Sequence, residues 1–406
     1  MVKIRSHILN PLGPDKINLL TDHVIVIVND EIQSVRPFDA KLDSDSEDRR
    51  DCLVLPGLID LHVHLSQYRI RGNHRPALLP WLKEVVFPEE AKSVDQDFAA
   101  ELAKDFFHAL FRNGTTTSVI YTAGFKSACD TAFQIARELG ARAFIGMTMM
   151  DQNSPKSLIQ DTHISLAQSI GLFQKWNRKT PLLNYIFTPR FAPTCSRQLM
   201  KELGVFITES GAWLQTHLSE NKAEITWVRD LFGLDSYTQV YKEMGLLGPR
   251  SILGHAIHLS ANEIALLKDY DCKIAHCPDS NFYLKSGEFP YERIKGAGIE
   301  IGIGSDVGAG TTLNMLYHAK MANFRQSSYT ITPERMLYHV TLGNAKILGL
   351  DNKIGMVEAG KQADIVLFKL PSEHEPNDAI LSRLCFYGQE FSVVETRIAG
   401  KIVYSV

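Results

Sequence analysis

A regular alternation of short β-type runs with helical patterns restricts the fold of this 406-residue chain more than any other feature. Helical patterns at 99–113, 126–139, 196–209 and 313–325 are among those that separate the runs. The eight β-type runs are 53–65, 115–121, 142–150, 182–190, 212–218, 251–257, 273–277 and 300–306. Eight strands that alternate with helices are typical of a TIM-like (β/α)8 barrel, in which helices cover parallel strands. We therefore predict an α/β fold with a barrel over residues 55–357.

The two ends of the chain have a different pattern. Residues 1–53 carry short β-type runs, the clearest at 23–28, and the sequence predicts an acidic polar loop at 43–51. Further β-type runs follow at 363–369 and 393–406. Since neither end could bury a core alone, we expect the two to pair into one small sheet domain. The predicted domains are thus a composite β domain, 1–54 with 358–406, and the barrel between them.

Composition excludes several classes of partner. The chain is 45% hydrophobic and 22% charged with a net charge of −3, which is ordinary for a globular enzyme and argues against duplex nucleic acid. It has no apolar run of about 18 residues and no apolar leader after Met1, so we expect neither a membrane span nor secretion. Six scattered cysteines without a C-x-x-C pair indicate reduced core thiols in a cytoplasmic enzyme.

Two histidines end the first predicted barrel strand. His62 and His64 alternate with apolar residues, so they share a face of that strand with Asp60. The carboxyl ends of barrel strands are where such folds keep their active sites. A lone histidine would more often be structural, but an H-x-H pair at the end of an apolar strand favours metal binding.

Three later motifs add polar residues at strand ends. His217 and Glu220 follow the fifth strand, His255 follows the sixth, and Asp306 follows the eighth. Each motif alone has a structural alternative: a surface His–Glu pair, a core histidine or a helix N-cap aspartate. Together, nitrogen and hard oxygen ligands at four barrel positions suit Zn²⁺, and also Fe²⁺, Mn²⁺ or Co²⁺. A bound metal would lower the pKa of its water to about 7.

With these motifs the chain resembles the amidohydrolase superfamily. The features that match are H-x-H at 62–64, T-H-L-S-E at 216–220, L-G-H at 253–255, S-D at 305–306 and the closing stretch 355–364. The resemblance implies a distorted (β/α)8 barrel with a small β-sandwich from both termini. It also implies one zinc per chain, with Fe²⁺ as the alternative, held by His62, His64, His217 and Asp306. T-P-R-F stands at 188–191, where two-metal relatives carry a bridging lysine, so the one-metal deaminase branch is favoured.

Within that branch the chain is similar to the guanine deaminases. The telling pieces are S-Q-Y at 66–68, L-L-P-W-L at 78–82 and P-R-F at 189–191. The resemblance implies hydrolysis of guanine to xanthine and ammonia in purine catabolism, by a cytoplasmic homodimer. One departure is S-D-V-G-A-G at 305–310, where the family commonly has S-D-V-A-G-G.

The resemblance also implies roles for individual residues. Glu220 would protonate a ring nitrogen, Asp306 would act as base as well as ligand, and His255 would orient the hydroxide. Four more residues would contact the purine together with Glu220: Gln67, Trp81, Arg190 and Phe191. Trp81 has the alternative of packing between helices, and Arg190 that of a structural ion pair.

Two other functions stay open. The same chemistry could act on another N-heterocycle, such as 8-oxoguanine, a pterin, cytosine or a triazine. A metal-free binding or scaffold protein on the same barrel is disfavoured, because the candidate ligands are all present. The H-x-E and P-C-x-x-C motifs of cytidine-type deaminases are absent, which disfavours nucleic-acid editing.

Overall fold

The computed structural model describes residues 1–371 and 376–406, and its strands form two separate sheets. Within those residues the strands are β1 (Val2–Gly13), β2 (Lys16–Val28), β3 (Glu31–Pro37), β4 (Glu47–Pro56), β5 (Leu58–His64), β6 (Thr115–Thr122), β7 (Arg142–Met149), β8 (Leu183–Pro189), β9 (Trp213–Leu218), β10 (Ser251–His255), β11 (Lys273–His276), β12 (Ile301–Ile303), β13 (Ile365–Lys369), β14 (Val393–Ile398) and β15 (Lys401–Ser405).

Strands β5 to β12 form the barrel. They lie side by side in chain order, and each neighbouring pair runs parallel. The helices of the described residues are α1 (Leu78–Trp81), α2 (Phe87–Ala91), α3 (Gln96–Arg112), α4 (Lys126–Leu139), α5 (Thr162–Trp176), α6 (Arg197–Ser210), α7 (Lys222–Phe232), α8 (Tyr237–Glu243), α9 (Ala261–Asp269), α10 (Pro278–Tyr283), α11 (Tyr291–Gly296), α12 (Met315–Phe324), α13 (Pro333–His339), α14 (Leu342–Ile347) and α15 (Ile380–Tyr387). The predicted α/β barrel is confirmed.

Helix α3 shows how the helical pattern folds onto the strands. Asp95 caps its first turn, because the side chain accepts hydrogen bonds from two backbone N–H groups of that turn. Leu102, Phe106 and Leu110 recur every four residues, so they form one buried stripe. Every residue of strands β6 and β7 is buried, as expected for parallel strands that are covered on both faces.

The two ends of the chain form one small β domain, as predicted. Its seven-stranded sheet has the order β15-β14-β13-β4-β1-β2-β3 and is antiparallel except for the pair β1–β4. A buried ion pair ties this sheet to the barrel: Nε of Arg142, on β7, lies 2.8 Å from Oδ2 of Asp364. The side chains of both residues are no more than 2% exposed.

Some boundaries differ from the sequence prediction. The run 53–65 contains two strands, β4 of the terminal sheet and β5 of the barrel. They meet at Gly57, where a Cβ would lie 2.2 Å from Oγ1 of Thr116, so only glycine fits this close approach. The acidic segment 43–51 is a loop only as far as Ser46, because β4 begins at Glu47 and pairs with Ile4 of β1.

The first and last barrel strands meet at a seam that both side-chain and backbone hydrogen bonds close. Asn344 donates two hydrogen bonds, to the carbonyl of Ile59 at 2.8 Å and to that of Ile303 at 2.9 Å. Asp60 accepts from the Ser305 backbone N–H at 2.9 Å and from its hydroxyl at 2.5 Å. Both contacts span β5 and the end of β12, so polar side chains join these strands.

No helix among residues 1–371 and 376–406 has both the length and the apolar character needed to span a bilayer. The six cysteines are all buried free thiols. They therefore contribute small apolar side chains to the interior, as the cysteine pattern predicts.

Candidate active site

Four imidazoles and one carboxylate converge at the carboxyl ends of the barrel strands. His62 and His64 lie at the end of β5, His217 is the second-last residue of β9, His255 ends β10, and Asp306 follows β12. One ligand atom from each of four of these residues lies within 4.8 Å of the others, the four being His62, His217, His255 and Asp306. The convergence predicted from the four motifs is therefore observed.

His64 lies in the same cluster at even shorter range. Its Nε2 is 3.2 Å from Oδ1 of Asp306, 3.3 Å from Nε2 of His62 and 3.3 Å from Nε2 of His217. Nitrogen atoms at 2.0–2.1 Å from a shared tetrahedral zinc ion lie about 3.3 Å apart. The spacing of these donor atoms thus fits one small cation.

Hydrogen bonds behind the cluster orient two of the imidazoles. Nδ1 of His217 donates to the backbone carbonyl of Arg190 at 2.6 Å, which leaves Nε2 with a free lone pair. Nδ1 of His255 lies 2.9 Å from Oδ1 of Asn281. Its Nε2 is buried without a hydrogen-bond partner among the described residues. Such unpaired buried atoms are expected where a ligand or an ion completes the site.

Burial also gives the cluster the protonation states that a cation needs. Burial lowers the pKa of His62 to about 4 and that of His217 well below its usual value, so both imidazoles are neutral. Burial alone would raise the pKa of Asp306, but hydrogen bonds from His62 and His64 hold it well below its ordinary value. Imidazole nitrogens together with one carboxylate oxygen are a donor set typical of zinc.

Glu220 lies beside the cluster as a buried carboxyl group. Burial raises the pKa of Glu220 to about 7. Its Oε1 accepts a hydrogen bond from the Ser286 hydroxyl at 3.1 Å, and its Oε2 is 3.6 Å from Nε2 of His255. A carboxyl group that titrates near neutral pH suits proton transfer. Ser286 is a contact that the sequence analysis missed.

A pocket opens directly onto this cluster. Nine of the ten predicted site residues line it, and the tenth, His62, lies behind them in the cluster. Trp81 and Phe191 contribute aromatic walls, and three leucines complete the apolar lining, namely Leu78, Leu82 and Leu284. This mixed lining suits a flat molecule with a polar edge.

Two of the predicted substrate-binding residues also make contacts within the protein. Trp81 lines the pocket and also closes a loop, since its Nε1–H donates to the Asn73 carbonyl at 3.0 Å. Arg190 lines the pocket and also forms a buried ion pair, with Nη1 at 2.7 Å from Oε2 of Glu90. Glu90 was missed by the sequence analysis, because nothing in the sequence distinguishes it from the adjacent Glu89.

Proteins of known function are similar to this chain in sequence and in fold. The chain is 35% identical to the guanine deaminase of Escherichia coli (strain K12) over 370 aligned residues. This alignment covers 88% of this chain and 84% of that protein. A solved guanine deaminase from C. acetobutylicum with bound guanine in the active site aligns with a TM-score of 0.93 at 29% identity, over 99% of this chain and 100% of that one. A zinc-bound adenosine deaminase from Xanthomonas campestris aligns with a TM-score of 0.87 at 25% identity, over 99% and 92% of the two chains.

A family model covers most of the chain as well. It matches residues 53–403, from the end of β4 to the last strand of the terminal sheet. All ten predicted site residues fall inside this range. The chain therefore belongs to the Amidohydrolase family.

Proposed function

We propose that this protein hydrolyses guanine to xanthine and ammonia with the help of one bound zinc ion. The observation that carries the proposal is the pocket: aromatic walls and hydrogen-bond donors lie against a cluster of four histidines and an aspartate. Similarity to guanine deaminases over most of the chain supports guanine as the substrate.

We assign the zinc to His62, His64, His217 and Asp306. His255 could replace His64 on distance alone, but the His64 Nε2 lies closer to Asp306 than the His255 Nε2, at 3.2 Å against 3.7 Å from the nearest oxygen. A bound zinc would make water acidic enough to supply hydroxide at neutral pH. Fe²⁺ would fit the same donors, and metal analysis of the purified protein distinguishes the two.

The protein's own residues would carry the protons. Glu220 donates a proton to the ring nitrogen next to C2, which makes that carbon a better electrophile. Asp306 accepts a proton from the attacking water and returns it to the leaving amine, and His255 donates a hydrogen bond that orients this water. Oxygen adds to C2, the C–N bond breaks, and the proton left on that oxygen returns to Glu220, so guanine and water yield xanthine and ammonia.

Four residues would hold the purine for this attack. Trp81 and Phe191 stack against the faces of the ring, because aromatic side chains suit flat partners. Gln67 and Arg190 donate hydrogen bonds to the polar edge of the ring. The alternative substrate is an N-heterocycle of the same size with a different pattern of hydrogen-bond donors and acceptors along its edge.

Ultraviolet spectroscopy with purified protein tests the proposal directly. Guanine absorption should give way to that of xanthine, and a chelator should stop the change until zinc is restored. Ammonia release from 8-oxoguanine, a pterin, cytosine and a triazine should be at least about a hundredfold slower, since a site built to hydrogen-bond its substrate rejects mismatched analogues strongly. A faster reaction with any of these would overturn guanine as the substrate.

Three further assignments remain predictions. We propose the domain boundaries 1–54 with 358–406 for the β domain and 55–357 for the barrel. The homodimer implied by the family resemblance can be measured by light scattering. The cytoplasmic location can be measured by cell fractionation.

A further inference from the structure

Glu90 is a buried carboxylate beside the pocket to which neither the family resemblance nor the proposed mechanism gives a role. It is 1% exposed and lies on α2, just after a wide π-helical turn at Leu82–Val86. Such turns are rare and occur frequently at functional sites. An ionised group is costly to bury unless it is paired. The residues that pair with Glu90 therefore indicate its role.

Three side chains donate hydrogen bonds to Glu90. One is the Ser66 hydroxyl, at 3.4 Å from Oε1, and the other two belong to the residues proposed to bind the polar edge of the purine. Oε1 of Glu90 accepts a hydrogen bond from Nε2 of Gln67 at 2.9 Å. Its Oε2 accepts from Nη1 of Arg190 at 2.7 Å. One carboxylate therefore holds together two pocket residues that are far apart in the sequence.

These contacts fix which way the Gln67 amide faces. The Gln67 carbonyl oxygen accepts from the backbone N–H of Gly308 at 3.3 Å, while its nitrogen donates to Glu90. A flipped amide would place NH₂ against the Gly308 N–H and oxygen against the carboxylate, and both contacts would be repulsive. The second N–H of Gln67 is then free for a ligand, so Gln67 offers a donor to the pocket.

Glu90 also sets the charge of this edge. Guanidinium carries five N–H donors and no acceptor, and one of them is used by Glu90. The carboxylate offsets the positive charge of Arg190 while the remaining N–H groups stay available. The edge is therefore neutral overall and rich in donors, which complements a neutral heterocycle with carbonyl and ring-nitrogen acceptors.

We propose that Glu90 is a positioning residue that holds Gln67 and Arg190 as donors and thereby makes the site select an oxopurine over an aminopurine. The inference rests on the proposed function, because it concerns the same pocket. An exocyclic amine at this edge would meet N–H groups on both side chains. A site whose buried donors are left unpaired rejects such an analogue strongly.

The wild-type protein provides the first test. Calorimetry of the zinc-loaded protein with hypoxanthine and adenine compares a 6-oxo with a 6-amino purine, and neither carries an amine at C2 to be removed. We expect hypoxanthine to bind at least about a hundredfold more tightly than adenine. Equal affinities would overturn the proposal whatever any variant does.

Glu90→Gln provides the second test, with Glu89→Gln as the matched control. The control removes a charge one position away, where Glu89 pairs with the exposed Lys92 at 2.6 Å. In E90Q we expect zinc content to stay the same, KM for guanine to rise about tenfold or more with a smaller change in kcat, and the preference for guanine over 2,6-diaminopurine to fall about tenfold. The preference falls because Gln67 can then turn its carbonyl toward an amine.

Glu90→Asp tests whether the negative charge or the length of the side chain matters. Aspartate keeps the negative charge but is one methylene shorter, so it can hold one partner well and not both. We expect an intermediate loss of preference, and E89Q should match the wild type. An unchanged preference in folded, zinc-loaded E90Q would refute the positioning role.

The test also distinguishes this inference from the proposed function. If the wild type leaves guanine intact yet binds hypoxanthine far better than adenine, and E90Q loses this preference, the proposed reaction is wrong and the role of Glu90 holds. If it deaminates guanine while binding both purines equally, the reaction holds and the role of Glu90 is wrong.

Discussion

Replacing Glu220 by glutamine removes a proton donor while keeping nearly the same shape. The Glu220 side chain is 4% exposed, and the burial that raises its pKa to about 7 keeps a large share of it protonated at neutral pH. Glutamine can still accept the Ser286 hydrogen bond, but it cannot give a proton to the substrate. Positioned acids contribute about 10²–10⁴-fold to rate, which corresponds to about 3–5 kcal/mol of transition-state stabilisation.

The assay is ammonia release from guanine, measured together with zinc content and thermal stability. We expect E220Q to lose about 10²–10⁴-fold in kcat while it keeps its zinc, because the proposed ligands are untouched. Ser286→Ala is the matched control, since it removes only the 3.1 Å contact that holds the carboxyl group in place. That variant should lose about tenfold, the scale of one hydrogen bond to a charged group.

Two results would refute this reasoning. Activity of E220Q close to that of the wild type would show that the proton comes from elsewhere. Loss of zinc in parallel with activity would make Glu220 a structural support of the metal site and not an acid.

Three further perturbations test the ion pair that joins the two domains, the packing around His62 and the bound metal. Arg142→Met leaves the buried carboxylate of Asp364 without its partner, so we expect the free energy of unfolding to fall by about 3–5 kcal/mol in urea titrations. Adding Asp364→Leu should recover most of this loss, and no recovery would contradict the ion-pair argument. Gly304→Ala places a methyl group 2.5 Å from Cβ of His62, so the zinc affinity measured by competition titration should drop at least about tenfold. An unchanged affinity would show that β5 and the end of β12 can move apart without disturbing the metal ligands. Chelation should lower stability by about 4 kcal/mol if zinc is present at a thousand times its Kd, and an unchanged melting temperature would place the metal elsewhere.

The barrel and the metal cluster could be predicted from sequence because each rests on a local pattern. His62, His64, His217 and Asp306 each lie at or just after the end of an apolar strand, and parallel strands bring such ends together. Periodicity alone was enough to place α4 at Lys126–Leu139 with the predicted bounds.

Positions that depend on contacts between distant segments were out of reach. The predicted last barrel strand, 300–306, is observed only over Ile301–Ile303, because Asp306 adopts a left-handed backbone with φ 52° that turns it out of the strand. Glu90 could not be recognised because its meaning comes from Gln67 and Arg190, which reach it only in the folded chain. Ser286 was missed for the same reason.

The seam between β5 and β12 has a consequence for the order of assembly during folding. These strands are the first and the last of the barrel, so joining them closes the longest loop in it, and loops of high sequence separation are the slowest to form. His62 and Asp306 come from opposite sides of that junction, only 3.4 Å apart between Nε2 and Oδ1. A nascent or half-folded chain therefore has no competent cation site, and metal capture reports that the last strand has docked.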